Sequence, residues 1–185
     1  RICAFRTNKI LYLSTNVYRG NIASLNSPRT DFENYLSEST IVREILGKLP
    51  HPVSYKPYPF QVRYADRDPI ICDLKLFNNI ELLNSNIDAR YFMRSPSVIV
   101  TSRATSTTGW AIMSGRPLCF IDIPDQQPLD TSLIDNFSDA FFYFRLQSQK
   151  DTEALRSFLS LPISEIENIW LQKKNHRESF ISKHI

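Results

Sequence analysis

The chain is poor in glycine and cysteine, and it has no long apolar run. Its 185 residues include only 4 glycines, 3 cysteines and 2 methionines. So little glycine excludes collagen-like order, and an apolar share of 42% argues against extensive disorder. No segment reaches the roughly 20 consecutive apolar residues that a membrane-spanning helix needs. The composition predicts one soluble globular domain, which at this length buries about 70% of its unfolded surface without a disulfide or metal.

Charge and cysteine spacing exclude further classes. Lys and Arg number 22 against 19 Asp and Glu, an excess too small to predict a nucleic-acid partner. Cys3, Cys72 and Cys119 lack the spacing of zinc or redox sites, so we predict no metal. Cys72 and Cys119 stand in apolar runs, where we expect buried thiols in a reducing compartment. The chain opens at Arg1 without a signal segment, so we expect a cytoplasmic piece of a longer protein.

Short apolar, β-rich runs alternate with longer segments of helical period. This alternation predicts an α/β fold whose strands are mostly parallel and buried on both faces. With right-handed crossovers, six such strands form a doubly wound, Rossmann-like sheet, usually in the order 3-2-1-4-5-6. The predicted strands are Ile10–Ser14, Val53–Lys56, Ile80–Leu83, Ser97–Thr101, Leu118–Ile123 and Phe141–Phe144.

Helix signals fill the segments between the strands. Asp31 is a candidate cap for a helix whose apolar stripe includes Phe32 and Leu36. Ser164-Glu165-Ile166-Glu167 matches a capping box. We find no domain-splitting linker, and we expect residues 146–185 to be a carboxyl-terminal helical extension. The predicted helices cover about 31–49, 88–94, 105–114, 150–159 and 165–182.

The segment Thr101–Trp110 is the strongest candidate for chemistry. It lies where a buried strand passes into a helix, and Ser or Thr fills six of its first eight positions. The first turn of a helix has unpaired backbone N–H groups and the positive end of the macrodipole, so it suits a phosphate. Thr105, Ser106 and Thr107 add hydroxyl donors, and Arg103 adds a fixed charge. The alternative is that these hydroxyls only cap the helix.

Two further loops follow predicted strands, which is where doubly wound sheets bind ligands. Two prolines stiffen Lys56-Pro57-Tyr58-Pro59, so Lys56 and Tyr58 are candidates to meet a diphosphate or a carboxylate. The alternative is an edge turn with snorkelling side chains. After the first strand, Arg19 can meet an anion and Gly20 allows close backbone approach. That loop has no GxGxxG pattern, and a plain surface loop fits it equally well.

Two other polar segments carry weaker signals. The loop 124–128 offers amide and carboxylate groups suited to ribose or base edges, and Gln127 is its candidate ligand. The last predicted helix carries cations that suit either solvent or anionic lipid: Lys173, Lys174, His176 and Arg177. HExxH, GxSxG and P-loop motifs are absent, so the sequence leaves the catalytic residues unassigned.

The run SVIVTSRATSTTGWAIMSGRPLCFIDIP resembles the carboxyl-terminal half of GT-B glycosyltransferases that build bacterial surface polysaccharides. It is especially similar to LIC-type surface-carbohydrate transferases, and the resemblance covers about residues 8–145 in order. It implies that Thr105 and Ser106 hold the phosphate of a nucleotide-sugar. Related families have a Lys-Pro-His-Pro turn where this chain has Tyr58 in place of the histidine. Arg103 stands where glycerol-phosphate enzymes often have an acid, which favours a more anionic ligand.

The resemblance implies that residues 1–185 are the donor-binding domain of a glycosyltransferase that needs no metal or other cofactor. Its expected partners are a nucleotide-sugar, a glycan acceptor and an amino-terminal GT-B domain that carries the acceptor site. We expect a cytoplasmic enzyme, or one held loosely at the inner face of the cell membrane. Two alternatives stay open. One is a nucleotide-sugar epimerase of the same architecture, with Asp66, Asp68 and Asp125 as acid/base candidates, and the other is a non-catalytic α/β interaction domain.

Overall fold

A computed structural model describes residues 7–15, 29–58, 69–84, 86–124, 126 and 128–185. Within these ranges six strands form one sheet in the order β3-β2-β1-β4-β5-β6, and each neighbouring pair is parallel. The predicted class, a doubly wound Rossmann-like sheet, is therefore confirmed together with its strand order. The strands are β1 (Thr7–Leu13), β2 (Val53–Lys56), β3 (Ile80–Leu82), β4 (Pro96–Ser102), β5 (Leu118–Asp122) and β6 (Phe142–Arg145).

The central strands are buried because helices cover both faces of the sheet. Every residue of β4 and β5 is buried, and so are the last four residues of β1. Parallel strands in this position read as continuous apolar runs, which explains why the sequence located each of them within a few residues. Short β3 at the sheet edge has no buried residue.

Seven α-helices lie in the described residues. Right-handed crossovers place α1 and α2 on one face of the sheet and α3 and α4 on the other. The carboxyl-terminal helices pack back on these two layers. α5 packs on the turn that follows α1, and α7 packs on α4. The helices are α1 (Asp31–Thr40), α2 (Ile70–Leu74), α3 (Ser106–Met113), α4 (Ile134–Ala140), α5 (Gln149–Leu159), α6 (Ile163–Gln172) and α7 (Lys174–His184).

The first helix differs from the prediction in length and in buried face. It ends at Thr40 and continues as a π-helical turn, Ile41–Ile45, and a 3-10 turn, Leu46–Lys48. A π turn has more residues per turn than an α turn, so the buried stripe changes phase there. Phe32 and Leu36, which we expected in the core, are 62% and 47% exposed. The buried face of α1 is polar instead, formed by Asn34, Glu38 and Ser39.

Two of the predicted helix caps are wrong. Thr30, not Asp31, is the N-cap of α1, where it forms a capping box with Glu33. The capping box expected at residues 164–167 is absent, because α6 already begins at Ile163 after Pro162, with no side-chain cap. The fixed φ of proline sets the entry into that helix without a hydroxyl.

The predicted helix 165–182 is broken in two at Lys173. The Lys173 ammonium donates to the backbone carbonyls of Ser138 (2.7 Å) and Asp139 (3.1 Å), at the carboxyl end of α4. This contact complements the negative end of the α4 dipole. A lysine expected on a solvated or lipid-facing surface thus joins α7 to α4.

The two described cysteines differ in burial. Cys119 lies in β5 with no exposed surface, and desolvation raises the pKa of its thiol far above the ordinary value. Cys72 is exposed, contrary to expectation, because α2 buries Ile70 and Leu74 and leaves Cys72 on its outer side. Cys3 lies outside the described residues.

Candidate functional site

The carboxyl edge of the sheet contains the point at which strand order reverses. The neighbours β1 and β4 are followed by connections that lead in opposite directions along the sheet. Ligands of doubly wound proteins bind in the crevice at this position. Four ionisable side chains are buried at or beside this edge: Glu38, Lys56, Arg103 and Asp122. Burying charge is costly unless it is paired, so such a concentration indicates a polar site rather than a core.

Arg103 shapes the turn between β4 and α3. Its φ of 70° is left-handed, which costs a non-glycine residue about 1 kcal/mol. Its carbonyl accepts from the Thr105 N–H (3.0 Å) and the Thr108 hydroxyl (2.9 Å), so the turn is tight. Arg103 is only 7% exposed, and its Nη2 donates to the Asn34 Oδ1 at 2.8 Å. The Arg103 guanidinium, predicted as a fixed charge for a ligand, is therefore buried at the carboxyl edge of the sheet, between β4 and α1.

Thr105 is the N-cap of α3 but does not cap it. Its backbone is extended (φ −121°, ψ 175°), as an N-cap requires, yet its side chain makes no cap hydrogen bond. Among the described residues its buried Oγ1 has no hydrogen-bond partner at all. The first-turn N–H groups of α3 therefore donate no hydrogen bond to the N-cap side chain, and the Thr105 hydroxyl lies beside them.

The other hydroxyls of the run have different environments. Ser106 is exposed and Thr107 is half-buried at the start of α3. Thr108 is buried, and its hydroxyl donates to the Arg103 carbonyl. Only Thr105, Ser106 and Thr107 therefore remain as donors for an anion at the positive end of the helix dipole.

Lys56 and Tyr58, predicted as a second ligand-binding segment, lie at the end of β2 and just beyond it, and β2 lies on the other side of β1 from β4. Leu13, near the end of β1, pairs with Lys56 of β2 and with Thr101 of β4. Since neighbouring strands lie about 4.8 Å apart, the ends of β2 and β4 are separated by about 10 Å. Lys56 is buried and its ammonium donates to the Pro57 carbonyl at 2.9 Å, while Tyr58 is half-buried.

The chain leaving β1 is held between these two strands. Ser14 donates its N–H to the Lys56 carbonyl (3.0 Å), and the Thr15 hydroxyl donates to the Ser102 carbonyl (2.9 Å). The predicted ligands Arg19 and Gly20 lie outside the described residues, and so do Gln127 and the acid/base candidates Asp66, Asp68 and Asp125.

The end of β5 and the loop that follows it contain two groups that sequence reasoning missed. Asp122, the last residue of β5, is 1% exposed, and its Oδ2 accepts from the Tyr143 hydroxyl at 2.5 Å. Gln126 is 3% exposed. Among the described residues, Asp122 Oδ1 and both amide atoms of Gln126 are buried without a hydrogen-bond partner. The sequence signal was present in loop 124–128, but it favoured Gln127 over its neighbour.

Unpartnered buried polar atoms are rare in folded proteins. In this chain they concentrate at one edge of the sheet, since the described examples include atoms of Arg29, Thr105, Asp122 and Gln126. Arg29 belongs to the same region because its Nη1 donates to the Pro124 carbonyl (3.3 Å) and its Nη2 to the Ser37 hydroxyl (3.1 Å). A polar ligand would satisfy these atoms, whereas a packed core would not.

The cations near the carboxyl terminus are only partly available for an anionic surface. Besides Lys173, Arg177 is engaged, since its guanidinium stacks 3.7 Å from the Trp170 ring and donates to the Trp170 carbonyl. Lys174 lies 3.7 Å from the Glu178 carboxylate, and His176 is exposed. Within the described part of the chain, every helix is too short or too polar to cross a bilayer. The same residues bring no three metal-ligating side chains together.

No protein-family model matches this chain, and the comparison with curated proteins returns no match.

Proposed function

We propose that this chain is the donor-nucleotide-binding domain of a glycosyltransferase that transfers a sugar from a nucleotide-sugar to a glycan acceptor of the cell surface. The observation that carries the proposal is the start of α3, where, among the described residues, the buried Thr105 hydroxyl has no hydrogen-bond partner and no side chain caps the helix. A nucleotide phosphate at this position would accept hydrogen bonds from Thr105, Ser106 and the first-turn amides.

The proposed chemistry is electrostatic. Transfer of the sugar leaves negative charge on the nucleotide phosphate, and preorganised donors at a helix N-terminus stabilise that charge as it develops. Thr105 and the first-turn amides do this without a change in position, because the left-handed turn at Arg103 fixes the entry into α3. In this proposal the glycan acceptor and its activating base belong to an amino-terminal GT-B domain.

A thermal-shift titration tests the proposal. CMP, UDP and GDP are each added to the chain, and we expect at least one to raise the melting temperature. A nucleotide at 100 times its Kd stabilises the fold by about 2.7 kcal/mol, which corresponds to about 5 to 10 °C in a chain of this size. Thr105→Val and Ser106→Ala should each reduce the shift.

Ser164→Ala is the matched control, because Ser164 is also an exposed first-turn serine, in α6. That helix begins at the opposite edge of the sheet, near His51, whose Nε2 lies 2.8 Å from the Leu161 carbonyl. The control should keep the full nucleotide shift. If no nucleotide alters the melting temperature of the unsubstituted chain, the proposal fails.

An interaction domain is the second candidate, and the outer face of α1 favours it. Phe32 and Leu36 lie one helical turn apart and are both exposed, so together they form a small apolar patch on the outer side of a helix that packs on the sheet. Under this alternative, Phe32→Ser with Leu36→Ser would abolish binding of a protein partner, and nucleotides would have no effect on melting.

A further inference from the structure

Three buried polar atoms at the end of β5 and just beyond it have no hydrogen-bond partner among the described residues, and the proposed phosphate site does not use them. They are Asp122 Oδ1, Gln126 Oε1 and Gln126 Nε2, all buried, in side chains that are almost completely enclosed. Each atom loses its hydration on folding without gaining a partner from the described part of the chain. Such groups, gathered at the ligand-binding edge of a doubly wound sheet, indicate a place for polar groups of a ligand.

The second oxygen of Asp122 is already occupied. Tyr143 donates its hydroxyl to Oδ2 at 2.5 Å, and Arg145 Nε lies 3.8 Å from the same oxygen. Burial, followed by the hydrogen bond to Asp122, raises the pKa of the Tyr143 phenol well above its usual value, so the phenol stays protonated and remains a donor. Asp122 is therefore held in one orientation, and Oδ1 remains as its open acceptor.

A tight turn places Gln126 at the same end of β5. Its N–H donates to the Ile123 carbonyl at 3.1 Å, which closes the turn. Arg29 holds this turn against α1 through the Pro124 carbonyl. Ser102 of β4 pairs with Ile121 of β5, so Asp122 lies one step beyond that pair, where β4 turns into α3. The end of β5 thus adjoins the start of α3 along the sheet edge.

The donor and acceptor count identifies the ligand group. Two open acceptors, Asp122 Oδ1 and Gln126 Oε1, need two ligand donors, while Gln126 Nε2 needs a ligand acceptor. Phosphate offers no donors and would be repelled by the carboxylate. Two neighbouring hydroxyls supply both donors, and either oxygen accepts from the amide. We propose that Asp122 and Gln126 bind a vicinal diol of the ligand, an inference that rests on the proposed nucleotide-binding function.

Two parts of a nucleotide-sugar carry such a diol: the ribose and the transferred sugar. Isothermal titration with the full 185-residue chain separates them. The probes are the best-binding nucleotide among CMP, UDP and GDP, its 2′-deoxy analogue, and a nucleotide-sugar of the same base. If the ribose supplies the diol, the chain binds the deoxy analogue at least tenfold more weakly. If the sugar supplies it, the nucleotide-sugar binds at least tenfold more tightly than the nucleotide.

Gln126→Leu should remove whichever preference is found. The affinity for the nucleotide should then lie within about twofold of the affinity for its deoxy analogue or for the nucleotide-sugar. Asp122→Asn gives a second test, because it keeps the side-chain shape, and it should reduce the same preference. Gln172→Leu, at an exposed position near the end of α6, is the matched control and should leave the preference unchanged.

Three results would overturn the inference. The first is nucleotide binding by the unsubstituted chain with neither preference. The second is a preference that survives in Gln126→Leu and Asp122→Asn. After either of these two results the proposed phosphate site would still stand, provided that Thr105→Val weakens nucleotide binding. The third is a preference for GDP that Gln126→Leu removes without altering hydroxyl discrimination, which would assign these groups to a guanine base. Failure of all three nucleotides to bind would instead remove the proposed function itself.

Discussion

Replacing Thr105 with valine should stabilise the protein and weaken it as a nucleotide binder. Valine has nearly the shape of threonine and favours the extended backbone that Thr105 adopts. The substitution removes a buried hydroxyl that has no hydrogen-bond partner among the described residues. Burial of an uncompensated hydroxyl costs about 1 to 3 kcal/mol in proteins. We therefore expect the free energy of unfolding without ligand to rise by about 1 kcal/mol.

Thr30→Val is the matched comparison, because Thr30 is also an N-cap threonine, but its hydroxyl both accepts and donates a hydrogen bond. Its Oγ1 accepts from the Glu33 N–H at 3.3 Å and donates to the Glu33 carboxylate at 2.9 Å. Losing such a cap costs about 1 kcal/mol. The same chemical change at two helix starts should thus shift stability in opposite directions, by about 2 kcal/mol in total.

Urea denaturation followed by circular dichroism measures both variants, and an unchanged slope with urea would show that only stability has altered. A loss of stability in Thr105→Val comparable to that in Thr30→Val would refute the reasoning. It would mean that the Thr105 hydroxyl supports the fold, and that the start of α3 offers no open hydroxyl to a ligand. A gain in stability together with a lost nucleotide shift is the pattern expected of a binding site.

Three further predictions concern the fold. Gly47→Ala should destabilise by about 1 to 3 kcal/mol, because a Cβ there would overlap Cδ1 and Cε1 of the Phe77 ring. Gly109→Ala, in the interior of α3 with nothing within 4 Å of the new Cβ, should stabilise by up to about 1 kcal/mol in the same denaturation assay. Asp73→Asn should cost about 2 kcal/mol at neutral pH, because Arg43 donates to the Asp73 carboxylate at 2.5 Å and lowers its pKa. The ionised Asp73 carboxylate stabilises the fold above its unfolded pKa of about 3.9, and this stabilisation is lost as the pH falls through the lower folded pKa. The free energies of unfolding of Asp73→Asn and of the unsubstituted chain should therefore converge in acid. A difference that persists there would contradict the role given to the Arg43–Asp73 pair.

The sheet could be predicted from the sequence because its signals are local. Buried parallel strands such as β4 and β5 are continuous apolar runs, and right-handed crossovers leave few strand orders to consider. Helices were harder. The seven residues of α4 bury only Phe137 and Ala140, which is too few to give a helical period in the sequence, so this helix was not predicted. The capping box of Ser148 and Asp151 at the start of α5 was legible but overlooked.

The state of each polar group at the site could not be predicted, because it depends on tertiary contacts. Thr105 and Thr108 belong to one hydroxyl-rich run, yet only the Thr108 hydroxyl donates to the Arg103 carbonyl. Gln126 and Gln127 are adjacent and chemically identical, and only the folded loop shows that Gln126 is buried. The sequence indicated the hydroxyl-rich segment at the start of α3, but it could not say which hydroxyl would lack a hydrogen-bond partner among the described residues.

The error in the predicted face of α1 has a physical explanation that bears on the site. The first turns of this helix lie over the carboxyl edge rather than over the apolar core. Asn34 therefore accepts from Arg103, and Glu38 accepts from the Tyr55 hydroxyl at 2.6 Å. The π turn that follows rotates the buried stripe, so that Ile41 and Ile45 reach the core. Such turns occur frequently at functional sites. Here the π turn lets one helix cover a polar edge with its first half and the core with the turns that follow, which a continuous apolar stripe would not permit.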